Sequence, residues 1–315
     1  MGNKKGPQRR GLAIGCGGTV GAAWIVAALA AARDVLAWDP REAQVLLGTS
    51  AGAETVTMLG SGVSVDDLVA LQRGTATDPI LRAHRAAEPG RFPPLPRPRL
   101  GSPRLPLRRH EPGQALLTAS SGLLPEGGGD PGWLQRLAER LNPGRAWVPH
   151  PATRLVAMDY ATGERVAFGA PGAPAAVIGE ALRASWAVPG WFPPVTIAGR
   201  RFVDGGAGST ASVDLLVGEG LDELLVLAPM ASAAPIPATG PLDLLERQLR
   251  NRMSGKLHAE IARLRAAGTR VLFVGATADD LAVMGPNFMD GRRRLAAFEH
   301  SLRSTRRALE QGAFV

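Results

Sequence analysis

Cysteine and histidine are scarce in this chain. A single cysteine, Cys16, excludes an intramolecular disulfide bond and any all-cysteine metal site, so the fold does not depend on an oxidising compartment. The histidines form no His-x-His or His-x-x-x-His pair, which argues against a zinc hydrolase. They are His84, His110, His150, His258 and His300. We therefore expect no metal site.

Lysine and aromatic residues are also rare. Lys4, Lys5 and Lys256 are the only lysines among the 36 basic residues, and aromatic residues make up 5% of the chain. The formal net charge of +8 therefore comes almost wholly from arginine, a pattern that agrees with a bias in nucleotide composition. Because aromatic side chains hardly interleave with the arginines, we expect no nucleic-acid partner.

Long hydrophobic runs are missing after the N-terminal region. An uncharged run over residues 11–32 follows a basic tail and has the outline of a secretory signal. Four glycines interrupt the run where a signal is most apolar, so we interpret it as part of the fold. No other stretch reaches the ~18 apolar residues that a transmembrane helix needs. We expect a cytoplasmic protein that can contact a membrane peripherally.

The chain has enough apolar sequence for one large domain. With 315 residues, of which 45% are hydrophobic, it can bury a sizeable core. We expect a basic tail over residues 1–10 and a single α/β domain over residues 11–315.

A segment rich in proline and arginine, residues 79–112, interrupts that domain. Its prolines predict that it holds no regular element, and Glu88 and Glu111 are its only acidic residues. Two interpretations stay open. The segment is either a solvated, flexible insertion or a basic collar around an active-site entrance that attracts anionic lipid head groups. Nucleic-acid binding is a third and less favoured interpretation of this segment, because aromatic residues hardly interleave with its arginines.

The motif Gly48-Thr49-Ser50-Ala51-Gly52 follows a short apolar stretch and precedes an apolar helix predicted over residues 51–59. A serine between glycines on a strand-to-helix turn is the pattern of a nucleophile elbow. The glycines lack Cβ atoms, so the backbone can cross closely and a substrate can approach. About 0.2 such motifs are expected by chance in a chain this rich in glycine, so other motifs must support the assignment.

A glycine loop follows the first predicted strand, residues 11–14. It runs Gly15-Cys16-Gly17-Gly18-Thr19-Val20-Gly21 and leads into a helix predicted over residues 22–36. The loop lacks the Gly-Lys-Ser/Thr ending of Walker A, and its glycines do not fit the spacing of a dinucleotide site. Backbone N–H groups at a helix N-terminus suit an oxyanion. We therefore predict an oxyanion hole at Gly17, Gly18 and Thr19.

An aspartate follows a predicted strand far along the chain. Asp204-Gly205-Gly206 comes directly after Phe202-Val203, and the proline-rich, apolar residues 188–195 precede it. The proline-rich stretch cannot form a regular element, and its apolar residues predict that it packs beneath a site. Taken alone, an aspartate before two glycines is most often a turn former.

The three motifs together, in this order, resemble the patatin-like phospholipase family over roughly residues 11–275. They are Gly17-Gly18, Gly48-x-Ser50-x-Gly52 and Asp204-Gly205-Gly206, with Trp191-Phe192-Pro193-Pro194 before the last. The resemblance implies a three-layer α/β/α fold with a mostly parallel central sheet. It also implies a Ser50–Asp204 dyad that cleaves carboxylic ester bonds of lipids without histidine, metal or cofactor. Two positions depart from the family pattern, since Cys16 replaces a glycine and Val20 replaces an arginine or lysine.

In the implied mechanism Asp204 is the general base that takes the proton of Ser50 as the serine attacks an ester carbonyl. A carboxylate is a weak base, so its pKa should be raised by apolar surroundings. Phe202, Trp191 and Phe192 are the residues that we expect to supply them.

Two alternatives stay open. One is a histidine-dependent hydrolase, which would combine Ser50 with Asp159 or Asp204 and with His258 or His300. The other is a lipid-binding regulatory protein that keeps the fold while Cys16 and Val20 weaken the chemistry.

The sequence predicts further helices and strands, and the C-terminal third is expected to be scaffold that completes the sheet without adding chemistry. They are a helix from Ser64 to about Gly74, helices over residues 131–141, 175–184, 242–266 and 290–310, and strands over residues 154–158, 165–168, 222–228 and 270–274.

Overall fold

The computed structural model describes residues 8–110, 115–238 and 240–311, and one eight-stranded sheet lies at its centre. The strands are β1 (Arg10–Ile14), β2 (Leu46–Thr49), β3 (Thr153–Asp159), β4 (Arg165–Phe168), β5 (Val195–Ile197), β6 (Arg200–Asp204), β7 (Glu223–Ala228) and β8 (Arg270–Gly275). The order is β5-β6-β3-β2-β1-β7-β8, with β4 also paired to β3. Strands β3, β2, β1, β7 and β8 are parallel, and β4, β5 and β6 join antiparallel.

Helices cover both faces of the sheet. They are α1 (Gly18–Leu36), α2 (Ala51–Gly60), α3 (Val65–Arg73), α4 (Pro79–Ala86), α5 (Ala115–Ser121), α6 (Gly132–Leu141), α7 (Ile178–Ser185), α8 (Pro241–Ala266), α9 (Ala278–Met284) and α10 (Arg294–Glu310). Side chains alternate across each strand, so Leu12 and Ile14 of β1 pack on the α1 side while Ala13 packs on the α8 side. The three-layer α/β/α fold with a mostly parallel sheet is therefore confirmed.

Among the helices that the structure describes, α1 alone is long and apolar enough to cross a membrane. However, 78% of its most apolar window is buried inside the protein. It packs between the sheet and α10, and at its C-terminal end Arg306 Nη2 lies 2.6 Å from Asp34 Oδ2. Its burial is that of a core helix.

The predicted start of α1 at residue 22 is wrong, since the helix begins at Gly18. The N–H of Gly21 donates to the carbonyl oxygen of Gly17 at 3.0 Å, so the second half of the glycine loop is already the first helical turn. Tertiary contacts hold this turn, because Pro229 and Phe288 lie directly against Gly17 and Gly18.

The prediction that residues 79–112 hold no regular element is also wrong, because α4 covers Pro79–Ala86 and a short 3-10 turn covers Leu105–Leu107. The Asp78 carboxylate accepts the N–H groups of Ile80 and Leu81, and a proline is tolerated at the first helical position because its missing N–H would have no partner there. Residues 111 and 112 of this segment, and residues 1–7 of the predicted tail, lie outside the described residues.

The other predicted strands and helices are present, with ends that differ by a few residues. Three elements, α5, α9 and β5, were not predicted. Each is short, so its hydrophobic periodicity gives little signal.

Candidate active site

Ser50 lies in the tight turn between β2 and α2. Its backbone has φ 57° and ψ −120°, a strained conformation for a residue with a side chain. The flanking glycines are sterically required: a Cβ on Gly52 would lie 2.2 Å from the carbonyl oxygen of Ile14, and one on Gly48 would lie 2.5 Å from that of Gly52. The turn therefore has the geometry expected of a nucleophile elbow.

Ser185, at the end of α7, holds the backbone of this turn. The Ser50 N–H donates to Ser185 Oγ at 2.9 Å, and the Ser185 hydroxyl donates to the carbonyl oxygen of Val156 at 2.6 Å. All three groups are buried. Ser185 was missed in the sequence because nothing near it marks a serine at a helix end as functional.

We expect Ser185→Ala to lower both stability and turnover. Loss of the hydroxyl leaves the buried Ser50 N–H without its acceptor, which should cost about 1 to 3 kcal/mol of unfolding free energy. It also relaxes the turn that holds the Ser50 hydroxyl, so the kcat of the ester hydrolysis that the resemblance implies should fall about 10-fold to 100-fold with little change in KM. Denaturant unfolding and steady-state ester kinetics measure the two effects.

Ser301→Ala is the matched control for this prediction. Ser301 lies in α10, and its hydroxyl is as buried as that of Ser185. It donates to Asp280 Oδ1 of α9 at 3.0 Å. Its loss should cost stability and leave kcat unchanged. If Ser185→Ala behaves like Ser301→Ala, the positioning role is wrong.

Asp204 is brought to Ser50 by the pairing of three strands. β3 pairs with β2 through Val156 and Thr49, and with β6 through Ala157 and Asp204. The residue after Thr49 is Ser50, so the serine and the aspartate reach adjacent residues of β3 from two of its three partner strands. The pairing register therefore places the two residues at the same end of β3.

The Asp204 carboxylate is buried, and two groups stabilise its charged form. Its Oδ1 accepts the N–H of Gly206 at 2.7 Å, and the nearby Ser50 hydroxyl also favours the ionised carboxylate. Burial raises the pKa of Asp204 to about 7, because the loss of hydration outweighs these two interactions. A carboxylate with this pKa can accept a proton at neutral pH.

The apolar surroundings of Asp204 differ from those expected. Val188, Pro189 and Leu117 line the cavity beside it. The aromatic residues predicted for this role, Trp191, Phe192 and Phe202, do not line that cavity. They stack on the rings of Phe288, Trp186 and Phe168 respectively.

Gly17 and Gly18 face Ser50 across the cavity, at the N-terminus of α1. Neither N–H has an acceptor within the described part of the chain, so both can donate to an anion, and the helix dipole adds positive potential. A Cβ on Gly18, which has φ 60°, would lie 2.4 Å from the Phe288 ring. Thr19 does not line the cavity, and its hydroxyl points to Met289 Sδ at 4.0 Å.

Cys16 and Val20, the two departures from the family pattern, have separate environments. The Cys16 thiol lies 3.3 Å from Thr210 Oγ1 and fills the space beside Gly206. Burial raises the pKa of this thiol to about 12, helped by the charge of Asp204, so the thiol stays neutral. Val20 is fully buried in the core.

Arg250 of α8 brings a buried cation to the glycine loop. Its Nη1 donates to the carbonyl oxygen of Pro229 at 2.5 Å, and Pro229 packs directly on Gly17. Its charge also opposes the rise in the pKa of Cys16. Nothing in the sequence distinguishes Arg250, since an arginine in a charged helix resembles any solvated one.

A largely apolar cavity of about 220 Å³ opens beside Ser50 and Asp204. Leu117 and Leu124 form one wall, and α5 is held there because the Thr118 hydroxyl donates to the carbonyl oxygen of Ala207 at 2.8 Å. The opposite wall contains four residues of the C-terminal third, namely Met230, Leu249, Met253 and Phe288. The expectation that this third is scaffold is therefore wrong: it also builds the cavity.

Among the residues that the structure describes, no histidine lines the cavity that contains Ser50. His258 packs edge-to-face against Phe273 with 5.7 Å between ring centroids, and His300 Nε2 lies 3.6 Å from Asp280 Oδ1. Asp159 is engaged by Arg200 at 2.7 Å. The structure thus does not bring together the residues that a histidine-dependent hydrolase would need.

A larger cavity, of about 610 Å³, lies beside β4. Two of its arginines are paired, Arg165 with Asp214 at 2.7 Å and Arg200 with Asp159 at 2.7 Å. The Thr162 hydroxyl donates to Glu164 Oε2 at 3.3 Å in this cavity, but that carboxylate is exposed to water, so the pair lacks a buried base and the larger cavity is the poorer candidate. In the described ranges, no group of three or more histidine, cysteine, aspartate or glutamate residues could hold a metal ion.

Comparison with known proteins identifies the family. The family model described as "Patatin-like phospholipase" matches residues 12–217. The chain also aligns with VipD from Legionella pneumophila at 14% identity and a TM-score of 0.39, over 95% of this chain and 67% of that one. No curated protein matches the chain. The family model spans the glycine loop, the serine turn and Asp204, and on that match the chain belongs to the patatin-like phospholipase family.

Proposed function

We propose that this protein is a serine acyl hydrolase that cleaves carboxylic ester bonds of lipids through Ser50 and Asp204. Family membership supports a lipid ester hydrolase. The observation that carries the dyad is that a strained Ser50 and a buried Asp204 line the same cavity, where burial raises the pKa of Asp204 to about 7.

The proposed reaction has two halves. Asp204 takes the proton of Ser50 Oγ as that oxygen attacks the ester carbonyl, and the proton then passes to the leaving alcohol as the acyl-enzyme forms. A water molecule next gives its proton to Asp204 and attacks the acyl-enzyme. Release of the acid returns the proton to Ser50, so the dyad is regenerated.

The negative charge that develops on the carbonyl oxygen would be met by the N–H groups of Gly17 and Gly18. In comparable sites each such donor lowers the barrier by about 3 to 4 kcal/mol. The buried Arg250 adds positive potential behind the loop, although its own hydrogen bonds go to Pro229 and Glu246. It would therefore position the loop and not contact the substrate.

The cavity lining favours an acyl chain as the group that is bound. Leu249, Met253 and Phe288 offer an apolar wall without a charged partner for a head group. The released fatty acids from a panel of phospholipids, lysophospholipids and simple esters would test this directly. Hydrolysis of none of these by folded protein would leave only a lipid-binding role.

We expect hydrolysis to be insensitive to chelators. The proposed oxyanion donors are backbone N–H groups, so no step requires a metal ion. Ester hydrolysis measured with and without EDTA should agree within error on a soluble substrate. A loss of activity that calcium restores would contradict the proposed mechanism.

A further inference from the structure

Exposed leucines and arginines lie beside the part of the Ser50 cavity that Leu117 and Leu124 line. We call them the entrance surface and define it as the exposed residues of two stretches, 91–109 and 116–124. We propose that the entrance surface docks on an anionic lipid bilayer and takes its substrate from there. The docking itself does not depend on the proposed reaction; only the identity of the bilayer lipid as substrate rests on it.

The two stretches are tied to each other and to the cavity. The Arg97 N–H donates to the carbonyl oxygen of Glu126 at 2.8 Å, and the Gly101 N–H donates to that of Leu124 at 2.9 Å. Leu124 itself lines the cavity, as does Leu117 of α5. The first stretch therefore lies along the rim of the opening, next to the wall that α5 builds.

Large apolar side chains are concentrated on this surface. Of the eleven exposed large hydrophobic residues in the described ranges, seven belong to it: Phe92, Leu95, Leu100, Leu107, Leu116, Leu123 and Leu124. The side chains of Leu95 and Leu107 are 92% and 84% exposed. Such a concentration beside a cavity marks a surface that is covered when the protein works.

The same surface is positively charged. Arg97, Arg104 and Arg108 are exposed, and none has a carboxylate partner within the described part of the chain. The nearby Glu126 is buried and neutralised by Arg99 and Arg201. The rim of the opening thus carries several arginines whose charge is not balanced locally.

Apolar side chains and unpaired arginines on one surface fit an anionic bilayer. Leucines can enter the acyl region while arginines remain at the charged head groups, and both contacts strengthen binding. A nucleic acid would use the arginines and leave the isolated leucines in water. Docking in this orientation also lets an acyl chain pass from the bilayer to the apolar cavity without crossing bulk water.

Vesicle sedimentation of the full chain tests the proposal, with Ser50→Ala in every protein so that no lipid is cleaved. Vesicles of equal parts phosphatidylglycerol and phosphatidylcholine are compared with vesicles of phosphatidylcholine alone. The leucine variant is Leu95→Ser with Leu107→Ser, and the arginine variant is Arg97→Gln with Arg104→Gln and Arg108→Gln. All five side chains are exposed, so the fold should tolerate the changes.

The controls carry the same substitutions elsewhere. Val217→Ser removes an exposed apolar residue that precedes β7, at the end of the sheet away from Ser50. Arg303→Gln with Arg307→Gln removes exposed charge from the end of α10, where Arg306 meets Asp34 at the far end of α1. Both controls should bind vesicles like the parent.

We expect each entrance variant to bind the anionic vesicles about tenfold or more weakly than the parent. The arginine variant should also lose most of the salt dependence. Equal binding by parent and both entrance variants would overturn the proposal, as would equal binding of the parent to the two kinds of vesicle. Failure to bind vesicles together with arginine-dependent binding of a duplex oligonucleotide would assign the surface to nucleic acid instead.

The same entrance variants with Ser50 intact separate docking from chemistry. They should hydrolyse a soluble short-chain ester at the parental rate and vesicle lipid more slowly. A parent that binds anionic vesicles but cleaves no ester would support docking and refute the proposed function. An equal loss on both substrates would show that the entrance surface shapes the cavity, which overturns the docking role.

Discussion

Replacing Ser50 by alanine is expected to lower kcat/KM for a soluble ester by about 10⁴-fold or more. The proposed reaction passes through an acyl-enzyme on this oxygen, which alanine lacks. The glycine loop and the apolar cavity remain in the variant, so substrate binding should persist. Steady-state hydrolysis of a short-chain ester measures the loss.

A covalent probe identifies the nucleophile independently. An organophosphorus ester should modify the parent protein at Ser50, as read by mass spectrometry, and should leave Ser50→Ala unmodified. His258→Ala and His300→Ala should keep both labelling and hydrolysis. Labelling at another serine of the folded protein would remove Ser50 from its proposed role, and loss of activity in a histidine variant would restore the histidine-dependent alternative.

Replacing Asp204 by asparagine should change activity and stability in opposite directions. Asparagine cannot accept the Ser50 proton, so turnover should fall about 10²-fold to 10⁴-fold. In the parent, burial raises the pKa of Asp204 to about 7, and the base is the ionised form. The kcat/KM of the parent should therefore fall as the pH drops below about 7.

The stability effect follows from the same raised pKa. The ordinary pKa of the carboxyl is 3.8, so between pH ~4 and ~7 the folded state holds a proton that the unfolded state has released. As the pH rises from ~4 to ~7, the unfolding free energy of the parent should therefore decline by up to about 4 kcal/mol. Above pH ~7 it should stay level. Asp204→Asn should lack that decline.

Denaturant unfolding at pH 4 and pH 8 checks this prediction. We expect parent and Asp204→Asn to be similar at pH 4 and the variant to be the more stable at pH 8. Asp280→Asn is the control, because Asp280 is also buried but accepts hydrogen bonds from Thr277, Ser301 and Ser304. The Asp280→Asn substitution should not stabilise the protein at either pH. A variant at Asp204 that is less stable than the parent at pH 8 would contradict the assignment.

The tight turn at Ser50 was readable from the sequence because its steric requirements are local. The spacing of Gly48, Ser50 and Gly52 reflects close backbone approaches within one turn. A Cβ atom on either glycine would lie only 2.2 to 2.5 Å from a backbone carbonyl oxygen. The same holds for the helix after Ser64, whose side chain caps the N–H of Asp67. The helix at Pro79 had equally local signals in Asp78 and Pro79, but the proline-rich composition of the longer segment hid them.

Asp204 marks the limit of local inference. An aspartate before two glycines is ambiguous, and only its order after the other two motifs, through the family resemblance, connected it with Ser50. The structure gives the physical reason for the connection: β2 and β6 both pair with β3, so residues far apart in sequence meet at one strand end.

The sequence by itself therefore determined the family, the layered fold and the residues whose roles depend on a single turn. Only the tertiary structure decided that Ser185 holds the backbone of the Ser50 turn, that Arg250 and Phe288 support the glycine loop, and that Asp204 is buried enough for its pKa to reach about 7. These features arise from packing between distant segments. Burial and electrostatic potential are properties of the assembled surroundings, and no window of neighbouring residues contains them.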